Sequence, residues 1–403
     1  MGYLWLKQAT ERPESLGSYK KRDGVVQTNA KIVIAPDKFK ESLTATQAAE
    51  AIQRGVLRAK PDAQCVLCPM ADGGEGTVDV FLERGAQRKV ARVHGPLGAP
   101  VDAAYARIGD TAILEMSSAS GLELLEPSEY DPLAADTFGT GELIRAALDD
   151  GVRHIIIGLG GSATNDAGAG MLRALGVRFL DRAGREIAHG VLSYEHLASI
   201  DLRALDGRLA ATRIEAAVDV DNPLCGPDGA AHAFAAQKGA TQTQIEQLDL
   251  VLEHVADVAE HTLHRDYRNT PGAGAAGGLG FALVAFLGAA LEPGVPLIAR
   301  ECGLDRLLAG AALCLTGEGK IDLQTLHGKT VDGVAKIAKK RGVPVVAFGG
   351  LVEEEAAQKL RQLGVEVVPI APAATPRAES MRSAAHFLEA AAREISARLL
   401  AAP

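Results

Sequence analysis

The strongest constraint on the fold is an alternation of strand and helix that appears at both ends of the chain and stops in between. Near the start, Lys31-Ile32-Val33-Ile34-Ala35 reads as a short apolar strand. Thr44, with Gln47 three residues on, forms a capping-box pattern that opens a helix to about residue 60. A second strand is expected at 64–69 and a second helix at 77–83. The last third repeats this grammar, with strands at 311–315, 343–348 and 365–370 and helices at 331–341, 353–363 and 380–399. Such alternation predicts an α/β fold with a parallel sheet. The two blocks suit one doubly wound sheet, with the middle of the chain as an insertion.

The middle reads differently. Residues 89–115 look like three short strands separated by Gly-Pro, Gly-Ala-Pro and Gly-Asp turns. Helices follow at 140–150, 167–175 and 242–264, and strands at 153–158 and 213–220. The expected division is 30–84 and 275–403 for the terminal domain and 85–274 for an inserted mixed α/β domain. Residues 1–29 are polar, lack periodicity and read as an extension. A length of 403 residues agrees with two or three domains.

Composition removes several classes of function. With 51 acidic and 42 basic residues the net charge is −9, which argues against a general nucleic-acid binder. A few lysines can still hold a phosphate locally. Residues 270–291 carry no charge, but the apolar part, 279–291, is too short to cross a bilayer, so a buried helix is expected. Five cysteines, an odd number, in a large chain without a signal peptide fit a reducing, cytoplasmic setting. Cys65 and Cys68 have C-x-x-C spacing with no second pair, and strand packing explains them.

The chemistry gathers in turns that follow strands, where parallel sheets bind ligands. After the first strand, Asp37, Lys40 and Ser42 offer a carboxylate, a cation and a hydroxyl. After the second, Asp72-Gly73-Gly74-Glu75-Gly76 combines close backbone approach with two acids. Two acids suit a metal bridged to phosphate, or a hydroxyl that must lose its proton. Gly160, Gly161, Ser162, Thr164 and Asp166 join a strand to a helix, with the glycines, hydroxyls and helix start of an anion site. Their pattern matches neither the Walker nor the dinucleotide fingerprint. Gly277 and Gly278 lie in a glycine run that opens a helix. Later, Glu318 and Asp322 are candidate metal or orienting carboxylates, and Lys329 is a candidate phosphate cation. Asp219, Asp221 and Asn222 suit either Mg²⁺ or an Asx turn before Pro223.

In this order the segments resemble one family, the type I glycerate kinases. The resemblance rests on Ala35-Pro36-Asp37 with Phe39-Lys40 and Ser42-Leu43, on 71–77, and on Gly160-Gly161-Ser162-Ala163-Thr164. It continues through 219–224, Gln237-Lys238-Gly239-Ala240, 272–280 and 317–329, covering about 31–375. Lys38 and Glu41 depart from the Ser and Gly that many members carry there. The resemblance implies Mg²⁺-dependent phosphorylation of D-glycerate by ATP, usually giving 2-phosphoglycerate. It also implies a flavodoxin-like domain built from both chain ends, with an inserted α/β domain. A monomer or homodimer in the cytoplasm is expected, with no nucleic-acid or membrane partner.

Within that scheme Asp72 is the first candidate for the base, with Asp37 second. Lys40, Lys238 and Lys329 are the cations for phosphate or carboxylate. Asp219, Glu318 and Asp322 are the metal candidates. Glycerate 3-kinase activity, or ligand binding without catalysis on the same scaffold, are the alternatives. Because the candidate turns come from both domains, the sites are expected in the cleft between them.

Overall fold

The structure, a computed structural model, describes residues 30–372 and 374–400; the extension expected at 1–29 lies outside the described residues. A five-stranded parallel sheet contains β1 (Lys31–Ile34), β2 (Gln64–Leu67), β11 (Leu313–Ile321), β12 (Val345–Val352) and β13 (Val365–Pro369). Their order is β2-β1-β11-β12-β13, so both chain ends build this sheet. Counted among themselves the strands run 2-1-3-4-5, an order of open doubly wound sheets whose switch point lies beside the first strand.

Period-two alternation places helices on both faces. Ile32 and Ile34 enter a cluster with Ile52, Val56 and Leu388, from helices Ala45–Ala59 and Ala384–Leu399. Val33 faces the opposite cluster with Val331 and Leu360. The first helix starts at the expected cap: the Thr44 side chain accepts from Gln47 N–H, and the Gln47 side chain accepts from Thr44 N–H.

The second sheet runs β10-β9-β6-β5-β4-β3. Its strands are β3 (Gln87–His94), β4 (Pro100–Ile108), β5 (Thr111–Glu115), β6 (His154–Gly158), β9 (Arg213–Ala217) and β10 (Ala290–Glu292). Pairing is antiparallel from β3 to β5 and parallel from β5 to β10. A small antiparallel pair, β7 (Arg178–Leu180) and β8 (Ser199–Asp201), lies apart. One face of the six-stranded sheet buries Leu114, Ile155, Ile157 and Ala216 in a cluster of its own. The other presents Ala106, Ile113, Ile156 and Ala217 to Val78, Phe81, Val295 and Ile298, so the two sheets share one apolar core.

Three expectations change. Residues 275–292 were expected with the terminal sheet, yet Leu279, Phe281 and Leu283 pack in the middle cluster and β10 pairs with β9. The buried helix itself is present at Ala275–Leu287. Strand β11 runs past its expected end at 315 to Ile321, in register with β12 as far as Val352. Glycines permit that close pairing: a Cβ on Gly317 would lie 2.5 Å from the Phe348 carbonyl oxygen, and one on Gly350 2.6 Å from that of Gly319. Finally, helix Gly294–Glu301 was not foreseen.

Candidate active site

The turn after β2 contributes to two cavities. The first, about 370 Å³, is lined by Asp72, Gly73 and Gly74, by Gly160, Gly161 and Ser162, and by Asp219, with Leu122, Val220 and Phe234 as apolar walls. The second, about 510 Å³, is lined by Asp37, Lys38, Lys40 and Ser42 and by Glu75, Asp79 and Glu115. Turns that the sequence scatters along both sheets therefore share one region.

The seat of the Asp72 turn is built from backbone. Asp72 Oδ1 accepts from Gly74 N–H at 3.0 Å, an Asx turn, and Gly73 has φ +89°. A Cβ on Gly158 would lie 1.8 Å from the Gly73 carbonyl oxygen, and one on Gly294 1.7 Å from that of Asp72. Gly294 N–H also donates to Asp219 Oδ1 at 3.0 Å. Glycines on the second sheet and on the helix that follows it thus let the turn press against both.

Five acids form an electrostatic chain through this seat. Burial pushes the Asp37 carboxyl up to about 7, with Asp72 adding to the rise; Thr330 Oγ1 and Lys38 N–H oppose it by hydrogen bonding. Asp219 keeps an exposed edge at the first cavity; partial desolvation there pushes its carboxyl up to about 6, again with Asp72 adding, while Gly294 N–H and Lys329 oppose. Glu318 is buried and pushed up to about 7 by desolvation, against a 2.5 Å bond from Thr325 Oγ1. Asp322 is the exception. It caps the turn Leu323–His327, accepts from Gln324 N–H, and faces Lys320 at 3.1 Å and Lys329 at 3.8 Å. Those cations hold its carboxyl below the usual range despite partial burial.

The raised Glu318 carboxyl has a consequence for stability. Its ordinary value is 4.5 and its folded value about 7, so between them the folded chain holds a proton that the unfolded chain has released. Stability therefore falls as pH rises through that window. Glu318→Gln lacks the proton and the penalty. Denaturant titrations from pH 5 to pH 8 should show Glu318→Gln gaining on the wild type as pH rises; a difference constant with pH contradicts this.

The glycine loop divides in two. Gly160 and Gly161 are exposed and Ser162 half-buried at the first cavity. Thr164 and Asp166 are buried beneath it. Asp166 accepts from Thr137 N–H and Oγ1 and from Gly168 and Gly170 N–H, so it serves the loop internally. The helix expected at 167 begins at Ala169. Gly277 and Gly278, with φ +66° and +94°, pack under the same loop: a Cβ on Gly277 would lie 1.9 Å from the Thr164 carbonyl oxygen. Lys238 is buried and donates to that carbonyl at 2.6 Å.

In the second cavity Lys38 Nζ pairs with Glu75 at 2.7 Å. Lys40 is exposed and makes no hydrogen bond or ion pair among the described residues. Ser42 Oγ donates to Phe39 carbonyl oxygen at 2.9 Å, closing the loop in which Glu41 takes φ +65°.

The glycerate kinase family model matches residues 32–400. The chain belongs to the glycerate kinase family. It is 47% identical over 373 residues to a glycerate kinase of Bacillus subtilis (strain 168), covering 92% of this chain and 97% of the relative. It is 48% identical over 342 residues to a glycerate 2-kinase of Escherichia coli (strain K12), covering 84% and 89%. A crystal structure described as a candidate glycerate kinase 2 from Salmonella typhimurium LT2 superposes with a TM-score of 0.82 at 45% identity, covering 92% of this chain and 98% of that one.

In this member of the glycerate kinase family, sequence reasoning missed Thr325 and Thr330, the hydroxyl partners of Glu318 and Asp37. Thr330 lies 293 residues from Asp37, and only the adjacency of β1 and β11 brings them together. Asn165 was also missed; its buried amide has no hydrogen-bond partner among the described residues. No group of three or more His, Cys, Asp or Glu residues arranged for a metal occurs among the described residues, and no helix there is long and apolar enough to cross a membrane.

Proposed function

We propose that this kinase transfers the γ-phosphoryl group of ATP to the 2-hydroxyl of D-glycerate, giving 2-phospho-D-glycerate and ADP. The observation that carries this reading is the first cavity, where the Asp72 turn, the exposed glycine loop and Asp219 meet in a chain of this family. Phosphoryl transfer needs positioning and neutralisation of charge more than covalent chemistry. The apolar walls Leu122, Val220 and Phe234 suit the nucleoside, and backbone N–H groups of Gly160 to Ser162 suit its phosphates. The terminal sheet is read as flavodoxin-like, with the site at its switch point.

The donor set fits Mg²⁺. Asp219 and Asp72 face the same cavity, and their mutual repulsion marks negative charge that a cation relieves. Mg²⁺ commonly takes one or two carboxylates together with substrate phosphates. When bound it would supply positive charge that neutralises the phosphates. Asp219 would hold it, with the charge of Asp72 nearby adding to the attraction. Asp322 is engaged by lysines and Glu318 is buried against Thr325, which leaves them orienting roles. Asp72 Oδ1 is fixed by Gly74 N–H, which leaves Oδ2 to accept the hydroxyl proton of glycerate.

Lys40 meets the glycerate carboxylate, because the neighbouring Lys38 is already paired with Glu75. A hydrogen bond to a charged group contributes about 1.5–3 kcal/mol. Lys40→Ala should therefore lower kcat/KM for glycerate roughly tenfold or more, with an unchanged melting temperature. Unchanged kcat/KM with a large loss of thermal stability would show a structural role instead.

The activity is tested by following ADP release from ATP with D-glycerate and Mg²⁺ together, and with each left out. Release that needs all three supports the reading. No release, with ATP still bound, would favour a ligand-binding protein.

A further inference from the structure

A lysine under the glycine loop has no place in the chemistry above. Lys238 is 2% exposed, and among the described residues its Nζ makes a single hydrogen bond, 2.6 Å to the Thr164 carbonyl oxygen. An ammonium is among the costliest groups to bury without a counter-charge. The acid whose charge acts on it is Asp166, whose oxygens already accept four hydrogen bonds from Thr137, Gly168 and Gly170. A methionine would fill the same space without the desolvation cost.

The surroundings of that carbonyl explain the choice. On one side Gly277 sits so close that any Cβ would strike the Thr164 oxygen. It lies in a run of three residues, Ala276 to Gly278, that all take positive φ. The Thr164 hydroxyl meanwhile contacts the Ala276 carbonyl oxygen at 3.5 Å. Lys238 follows Gln237 directly, on the short turn Ala236–Lys238, and Gln237 lines the first cavity. One residue of the turn thus faces the ligand space while the next reaches beneath its rim.

We propose that Lys238 is a positioning residue for nucleotide binding: it fixes the Thr164 carbonyl and so holds the N–H groups of Gly160 to Ser162 at the cavity, without touching the nucleotide itself. This deepens the assignment of the loop to the nucleotide phosphates and rests on it. It replaces a direct phosphate contact, which a wholly buried ammonium under the loop does not make. Burial also pushes the lysine down to about 7, consistent with a group kept from water and from any full counter-charge.

The test uses the full-length chain with Lys238→Met, which keeps length and removes the donor and its charge. Steady-state kinetics with ATP and with D-glycerate as the varied substrate give the decisive split. The expected result is a KM for ATP raised at least tenfold, a KM for glycerate within twofold of wild type, and kcat at saturation within threefold. Both KM values unchanged, with only a lower melting temperature, would overturn the proposal and make Lys238 a packing residue. If Lys238→Met does not fold, Lys238→Gln is read by the same split. Gly160→Val separates this proposal from the reading beneath it, because it places a side chain on the loop rim with Lys238 intact. If Gly160→Val leaves the KM for ATP unchanged, the loop does not carry the nucleotide and both readings fall. If it raises that KM while the Lys238 variants do not, only the role of Lys238 falls.

Discussion

Asp72→Asn should lower kcat by roughly 10²–10⁴-fold, the range typical of general acid–base catalysis. That corresponds to about 3–5 kcal/mol in the barrier. The substitution keeps the shape of the side chain. Its Oδ1 accepts from Gly74 N–H, and an asparagine amide oxygen makes the same Asx turn. Folding should therefore be preserved, and thermal melts should coincide. Removal of one charge should also relax its neighbours, since Asp72 contributes to the raised carboxyls of both Asp37 and Asp219. If Asp72 only closes the turn, the substitution is nearly silent. A kcat within threefold of wild type would remove Asp72 from the catalytic set.

Gly294→Ala should damage stability and activity together. A Cβ there would lie 1.7 Å from the Asp72 carbonyl oxygen and 2.5 Å from its carbonyl carbon. These are backbone atoms, so no rotamer change relieves the clash. Either the helix Gly294–Glu301 or the Asp72 turn must move, and the Gly294 N–H bond to Asp219 moves with it. Overpacking of this kind costs roughly 1–3 kcal/mol, sometimes more, and the displacement falls on two residues of the site. Denaturant unfolding and kcat measured on one preparation check both effects. Wild-type values for both would mean that the turn is not seated on Gly294.

Much of this was legible in the chain, for reasons that differ from element to element. Local signals carried the terminal blocks: the Thr44 capping box, the apolar run at β1 and the helix Thr77–Glu83 all depend on residues a few positions apart. The acids Asp37, Asp72 and Asp219 could be picked out because each follows a strand paired in parallel, where ligands gather; Glu318 was picked out in the same way, although β11 runs on through it. What depended on distant partners was not legible. Asp166 looks like a ligand until Thr137 and the start of the next helix are seen to use its oxygens. Lys238 reads as a cation for phosphate or carboxylate until it is seen buried against the Thr164 carbonyl. Helix Gly294–Glu301 has no capping side chain, so it lacked that start signal. Strand β10 has three residues and takes its place only by pairing with β9.

The central claim is phosphoryl transfer to the 2-hydroxyl of D-glycerate at the cavity between the Asp72 turn and the glycine loop. Phosphorus NMR of the purified chain incubated with D-glycerate, ATP and Mg²⁺ tests it most directly. The predicted result is consumption of the γ-phosphate signal and growth of one phosphomonoester, coupled to the single proton on C2. A phosphomonoester coupled to the two protons on C3, or ATP left intact beside unmodified glycerate, would contradict it.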